Sequence, residues 1–318
     1  MKSLTKNEQR GEAIGRMVKR CFPGKNMAGY TELTEGCFNV AYEVELDSGE
    51  QVILKVAPAP GTRIMTYERN IMYSEVDAMK AAKSAGLSAP AVLGWDESCT
   101  ICGSPYFFME KLAGQSLNSI KSNLTDGEIV AINRQVGAIN RRINDITCLR
   151  FGYPGQPEFQ GERWFPVFRR MLEAGVKDAE KGHVDVKIDI SELWEMLDRD
   201  RPIFEEITEP RLVHWDCWDG NIFVEGGKVT GIIDWERSLW ADPLMEVGFR
   251  TYNQNKDFLA GYGIKELTAN QQRWALWYDV YLMLLVSLEC EYRQYETMDM
   301  YEWSTGILVR QFEKLGDS

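Results

Sequence analysis

The hydrophobic pattern of this chain changes character once. Over the first 110 or so residues it comes in short runs rich in β-branched and aromatic side chains, at 30–34, 40–46, 51–56, 91–93 and 106–109, and these read as five strands. Asp47-Ser-Gly49 supplies a turn between the second and third. Two helices accompany them. Residues 6–21 place Ile14, Met17, Val18 and Cys21 on one face and stop at Pro23-Gly24, and residues 69–85 end at Gly86. Beyond Gly114 the period becomes helical. Thr125-x-x-Glu128 is a capping box, and it opens a helix whose Ile129, Ile132, Val136, Ile139 and Ile143 form one stripe. Further helices are predicted over 163–181, 190–207, about 245–262, 268–295 and 298–315. The chain therefore reads as α+β in two lobes: residues 1–112 with a sheet and a helix, and residues 113–318, mostly helical. The junction lacks any long polar stretch, so it reads as a hinge, not a linker.

One β-rich stretch interrupts the helical half. Arg211-Leu-Val is a short strand entering a loop, Asn221–Val224 a strand leaving it, Gly226-Gly227 a hairpin turn and 229–233 the return strand. The polar residues on this frame are His214, Asp216, Asn221 and Asp234. Their order is the one that phosphoryl transfer from a nucleotide needs. Asp216 can accept a hydroxyl proton, while Asn221 and Asp234, at one end of one hairpin, offer oxygen ligands that suit Mg²⁺. His214 is expected to support the loop, not to act as acid or base, and Asp219 is expected in an exposed turn.

Lys55 lies inside Val52-Ile-Leu-Lys-Val56. An ammonium flanked by buried-type residues needs a partner. It reads either as a clamp on nucleotide phosphates or as an edge-strand lysine with its stem on apolar surface. A clamp lysine is held by a carboxylate on the following helix. Glu68 and Glu75 both qualify, and Glu75, deeper in the helix beside Met72, Val76 and Met79, is preferred. Thr34-Glu-Gly36-Cys-Phe-Asn39 joins the first two strands where a phosphate-covering loop would lie, with Gly36 allowing close backbone approach.

Composition narrows the partners. With 318 residues and 44% hydrophobic content the chain can bury a large core. A net charge of −12 and a pI near 4.9 argue against nucleic acid and anionic membrane surfaces. No apolar run is long enough for a membrane span and no secretory signal is evident, so a cytoplasmic location is expected. Seven scattered cysteines form no disulfide framework. Cys99-x-x-Cys102 reads as a reduced hairpin pair, because a zinc site would need more ligands than His183 and His214 supply.

At His214-Trp-Asp216-x4-Asn221, Ile233-Asp234-Trp-Glu236 and Ala241-Asp242-Pro243 the chain resembles the aminoglycoside phosphotransferase and choline kinase-like superfamily, relatives of the protein kinases. The resemblance runs in order along nearly the whole chain. It implies a bilobal protein kinase-like fold, ATP or GTP as donor, Mg²⁺, and a small hydroxylated acceptor. It also implies that Gly36, Asn39 and Tyr42 follow the phosphate-loop pattern, and that backbone groups at Glu110 and Leu112 meet the purine. Trp215 stands where the superfamily usually has glycine, which is expected to narrow the substrate mouth. Trp218 occupies a position where sugar-amine kinases of the superfamily often carry an aromatic.

The acceptor is less legible. Aromatics and acids from Trp274 to Glu291 read either as the wall of a pocket for a cationic hydroxylated compound or as lobe core with a solvated acidic face. A protein kinase is disfavoured, because Asp234-Trp-Glu leads almost directly to Asp242-Pro and leaves no room for an activation loop. A catalytically silent nucleotide-binding module and a kinase of neutral sugars or sugar-amine metabolites remain as alternatives.

Overall fold

The computed structural model describes residues 4–34, 36 and 38–317. The first half contains α1 (Gly11–Cys21), β1 (Met27–Leu33), β2 (Val40–Leu46), β3 (Gln51–Val56), α2 (Ile71–Ser84), β4 (Val92–Asp96) and β5 (Tyr106–Glu110). The strands form one antiparallel sheet in the order β1-β2-β3-β5-β4. Strand alternation decides what each face meets. Val52, Leu54 and Val56 point to the side covered by Ile14, Met17 and Val18 of α1. Ile53 points to the other side, into the core that includes Met72, Val76 and Met79 of α2. Lys55 shares that second face, which is why β3 is buried on both sides and still carries a lysine.

The remainder contains β6 (Gln115–Ser116), α3 (Leu117–Ile120), α4 (Asp126–Asn144), α5 (Trp164–Gly182), α6 (Ile190–Phe204), β7 (Arg211–Val213), β8 (Ile222–Glu225), β9 (Lys228–Ile232), β10 (Leu239–Ala241), α7 (Lys256–Tyr262), α8 (Ala269–Arg293) and α9 (Asp299–Gly316). α8 is the central helix. Its residues from Tyr278 to Leu285 are buried without a break, and a helix apolar all round belongs inside a domain. The β8–β9 hairpin turns at Gly226 and Gly227, with φ of 56° and 76°. Two consecutive positive φ values are what a two-residue type I′ turn requires. At the lobe junction Gly114 has φ 91°, and a Cβ there would stand 2.3 Å from the Val224 carbonyl oxygen. Only glycine lets the junction pass this close over the hairpin.

Two helix expectations are corrected. The first helix begins at Gly11, not at residue 6. The preceding residues are tethered away from helical geometry: Asn7 Nδ2 donates to the Ala57 carbonyl and to Ser104 Oγ, and the Gln9 N–H donates to Tyr42 Oη. The helix expected over 245–262 is broken into two 3₁₀ turns, Pro243–Met245 and Val247–Phe249, followed by α7. Glu246 separates the turns with extended backbone, φ −63° and ψ 151°. The two-residue β6, the four-residue α3 and the three-residue β10 had no expectation, being too short to show a period. Among the described residues no helix is long and apolar enough to cross a membrane.

Candidate active site

The loop after β7 is shaped from behind by one buried carboxylate. Glu246 accepts the N–H of His214 (2.8 Å), the N–H of Trp215 (3.0 Å) and Nδ2 of Asn144 (3.1 Å). Asn144 also donates to the Leu212 carbonyl and accepts from the Tyr262 hydroxyl. His214 is fully buried. Its Nδ1 accepts the Asp216 N–H at 3.3 Å and its Nε2 lies 3.1 Å from the Ile233 carbonyl. An acceptor at Nδ1 and a donor at Nε2 define one neutral tautomer. Burial pushes the imidazole pKa down to about 4, so His214 is a neutral strut between the loop that carries Asp216 and the β8–β9 hairpin.

That strut and the loop place Asp216 over Asn221. Asn221 Nδ2 donates to the Asp216 carbonyl (2.8 Å) and to Asp216 Oδ2 (3.2 Å). The Ile233 N–H donates to the Asn221 carbonyl, which sets Asp234 beside Asn221 at the hairpin end. Asp234 has φ 65°, a left-handed conformation that Asp tolerates better than most residues. Burial raises the Asp216 carboxyl above the usual range, opposed by the charges of Arg237 and Arg250. That shift favours proton acceptance late in a reaction.

Across the cleft Lys55 Nζ lies 2.6 Å from Glu75 Oε1 and 2.7 Å from Asp234 Oδ1. Burial alone would depress the ammonium, but Asp234 and Glu75 more than reverse this and hold it above its ordinary value. Burial likewise works to raise the Asp234 carboxyl, and the Lys55 charge wins and keeps it low. Oxygens of Glu75, Asp234 and Glu236 lie within 4.8 Å of one another. Lys55 is already the counter-ion of that trio, so it is a lysine cage more than a metal centre. The donor chemistry that fits Mg²⁺ is instead the side-chain oxygen of Asn221, whose amide nitrogen is occupied by Asp216, together with the Asp234 carboxylate.

The other residues singled out from the sequence fall as follows. Glu68 is not on Lys55. It pairs with Arg293 of α8 at 2.8 Å, and Arg293 and Arg237 both hold Glu289. Asn39 is buried and donates to Glu236 Oε2 at 2.9 Å. Gly36 lies between Glu35 and Cys37, which are outside the described residues, so the expected phosphate loop is described only in part. The Glu110 N–H is used by the Ala91 carbonyl, and its carboxylate meets Lys83 and the Ala91 N–H. The Leu112 backbone has no protein partner among the described residues, and its side chain lies against Gly231.

Trp215 does not rim a mouth. It is 1% exposed, has φ 62° and stacks on Tyr281 of α8 at 5.4 Å with planes 10° apart. Trp218 is 47% exposed with its ring over Gly220. Asp219 pairs with Lys121 at 2.5 Å. Trp274, Trp277 and Tyr278 are core residues, and Glu289 and Glu291 are occupied by arginines. The thiols of Cys99 and Cys102 donate to separate carbonyls, and the six described cysteines are all free.

A cavity of about 740 Å³ opens elsewhere, between the segment after β3, the start of α2, the β4–β5 turn and residues 154–157. Its lining includes Phe38 and Glu68 but none of Lys55, Asp216, Asn221 and Asp234.

Glu246, Asn144, Glu236, Arg237 and Arg250 complete the site's framework without having been singled out for it from sequence. Glu236 stands inside the Ile233–Glu236 stretch and Glu246 three residues after Ala241-Asp242-Pro243, which was the available signal. Nothing local marks the other three.

A model of a known family matches residues 29–277, most of the chain. The chain belongs to the phosphotransferase enzyme family. Solved structures with the same fold include a thermostable variant of aminoglycoside phosphotransferase APH(4)-Ia bound to AMP-PNP and hygromycin B, with 18% identity, TM-score 0.62 and coverage of 96% of this chain and 99% of that one. A candidate fructosamine-3-kinase from Thermobifida fusca YX-ER1 has 14% identity and TM-score 0.68, covering 96% and 99%. Both have the small sheet lobe and the large helical lobe of the kinase-like fold, as this phosphotransferase does. Acyl-CoA dehydrogenase family member 10 of Mus musculus is 26% identical over 239 residues, 71% of this chain, and this family member spans 21% of that protein's length.

Proposed function

We propose that this protein transfers the γ-phosphoryl group of ATP or GTP to a hydroxyl of a small molecule. The observation that carries the reading is the convergence of Asp216, Asn221, Asp234 and Lys55 on one cleft between the lobes, with Lys55 fixed by Glu75. The acceptor hydroxyl donates a hydrogen bond to Asp216. Its oxygen bonds to the γ-phosphorus as the bond to the bridging oxygen of the nucleoside diphosphate breaks, and the hydroxyl proton passes to Asp216. Lys55 orients the α- and β-phosphates. Asn221 and Asp234 are the residues that would hold Mg²⁺, which when bound neutralises charge on the transferred group. The Glu110 carbonyl and the Leu112 N–H meet the purine edge, and backbone near Gly36 covers the phosphates while Asn39 steadies Glu236 behind them.

Family membership supports small-molecule phosphotransfer over a silent module, and so does the retention of every polar group in the constellation. The test is release of ADP and GDP with Mg²⁺ across aminoglycosides, choline-like amines, amino sugars, neutral sugars and hydroxy acids, with Asp216→Asn as control. Acceptor-dependent release that the substitution removes supports the reading. Nucleotide binding with no release on any acceptor counts against it.

A further inference from the structure

Arg237 acts on Asp216 through its charge, and it is spent on Glu289, which it shares with Arg293. Arg250 is different. It follows the second 3₁₀ turn, and one of its terminal nitrogens donates to the Trp215 carbonyl at 3.3 Å, one residue before Asp216. Among the described residues it is in no ion pair within 4.0 Å, although it is only partly exposed. Its Nε is buried with no hydrogen-bond partner, and so are the Tyr252 hydroxyl two residues on and Trp215 Nε1. Asp279 interacts with Arg250 through its charge without forming an ion pair, and one of its oxygens accepts from the Thr251 N–H (2.8 Å) and Thr251 Oγ1 (2.7 Å). The Tyr252 ring meets Trp303 of α9, which is half exposed, so the group sits below an open surface. Holding a guanidinium partly out of water with no carboxylate in ion-pair range is costly, and a buried Nε with no partner adds to the cost.

We infer that Arg250, with the Tyr252 hydroxyl, binds an oxyanion carried by the acceptor, so that the substrate is an anionic hydroxylated compound such as a hydroxy acid and not a cationic one. This rests on the phosphotransfer reading above. The second terminal nitrogen of Arg250 is a charged donor that a carboxylate or phosphate oxygen accepts. The anion is thereby fixed next to the loop that carries Asp216, and the acceptor hydroxyl is presented to that carboxylate. The acids that could have drawn a cation, Glu289 and Glu291, are already neutralised by Arg237, Arg293 and Arg63. Local charge outweighs the net charge of −12 at this distance.

The experiment measures Mg²⁺- and ATP-dependent ADP release with matched acceptors. Glycerate and gluconate carry a carboxylate, and glycerol phosphate carries a phosphate. Glycerol, glyceramide and gluconamide are neutral, and choline and glucosamine are cationic. The expected result is that oxyanion acceptors exceed their neutral partners in kcat/KM by about tenfold to a hundredfold, the range of one charge-assisted hydrogen-bond pair. The carboxylate and phosphate arms decide which oxyanion the site takes. Arg250→Met should collapse this preference ratio mainly through KM, and Arg250→Lys should restore part of it. Neutral or cationic acceptors that turn over as well as the oxyanions, or a preference ratio untouched in Arg250→Met, would overturn the inference and leave the phosphotransfer reading standing. If no acceptor of any charge gives Asp216-dependent release, both fall.

Discussion

Lys55 Nζ stands between Glu75 Oε1 and Asp234 Oδ1, at 2.6 and 2.7 Å, so one buried cation ties α2 to the end of the β8–β9 hairpin across the two lobes. Glu75 is 0% exposed, pairs with no other cation among the described residues, and has its second oxygen unpartnered. Lys55→Met therefore removes more than the phosphate contact proposed for it. Turnover should fall by about 100-fold to 1,000-fold, as for loss of one preorganised electrostatic group. Stability should fall by about 3–5 kcal/mol, because a buried charge loses its partner. Glu75→Gln should fall by less in both, since Asp234 still neutralises Lys55. Steady-state kinetics and urea unfolding on the same preparations separate the two effects.

The contrast between Lys55 and Glu246 explains what the sequence could reveal. The pairing of β2 with β3 follows from short-range pattern and the Asp47-Ser-Gly49 turn, and the β8–β9 hairpin is fixed by Gly226-Gly227, so local pattern alone locates the residues on those frames. Asp216, Asn221 and Asp234 lie on such frames. Glu246 follows the Asp242-Pro243 motif, but nothing local says where its carboxylate goes. It sits in a stretch of helical period, yet its carboxylate is drawn 31 and 32 residues back along the chain to the amides of Trp215 and His214, and the backbone leaves the helix to allow it. Trp215 departs from expectation for a similar reason. Its position in the motif is local, but the direction of its ring is set by Tyr281 on a distant helix. Arg250 and the cation-occupied Glu289 are illegible in the sequence because pairing of charges is a tertiary fact.

Trp215 occupies a left-handed backbone position and fills space against Tyr281. Trp215→Gly should regain about 1 kcal/mol of backbone strain, and lose about 3–5 kcal/mol of packing and cavity energy. The net outcome is a less stable protein, by roughly 2–4 kcal/mol. Trp215→Phe should lose less packing but keep the strain. Thermal unfolding of the pair distinguishes strain relief from cavity formation: if Trp215→Gly is the more stable of the two, strain dominates and the packing account is wrong.

Two buried groups should give opposite pH dependences of stability. Asp242 accepts from the Leu244 N–H and the Tyr278 hydroxyl with no cation at hand, and burial raises its pKa from 3.8 to about 6. The folded state then holds this proton more tightly, so its contribution is full below pH 3.8 and is lost as pH rises through 6, by about 3 kcal/mol. His214 is depressed from 6.5 to about 4 by burial. Its contribution is full above pH 6.5 and is lost as pH falls toward 4, again by about 3 kcal/mol. The windows overlap and the slopes cancel. Asp242→Asn removes the first, so its urea-unfolding free energy should rise between about pH 4.5 and 6.5 and exceed that of the unmodified protein at about pH 7.5. A variant whose profile runs parallel to the original would show that Asp242 is not the titrating group.

The alternating ladder Glu68–Arg293–Glu289–Arg237 joins the segment before α2 to α8 and then to the residues after Asp234. Side-chain exposures run from 1% at Glu68 to 12% at Arg237, so each charge depends on its neighbours and not on solvent. Arg293 is the central cation, and Arg293→Met leaves Glu68 with no other ion-pair partner among the described residues. The expected loss is about 3–5 kcal/mol. Glu68→Gln should cost less on its own, and in the Arg293→Met background it should recover part of the loss, because the stranded carboxylate is gone. That non-additive cycle is the signature of a coupled pair. Because the ladder ends at Arg237, whose charge acts on Asp216, Arg293→Met should also weaken turnover more than nucleotide affinity. Equal losses in the single and double variants would mean that Arg293 supports the lobe interface by packing on Phe38 and not through Glu68.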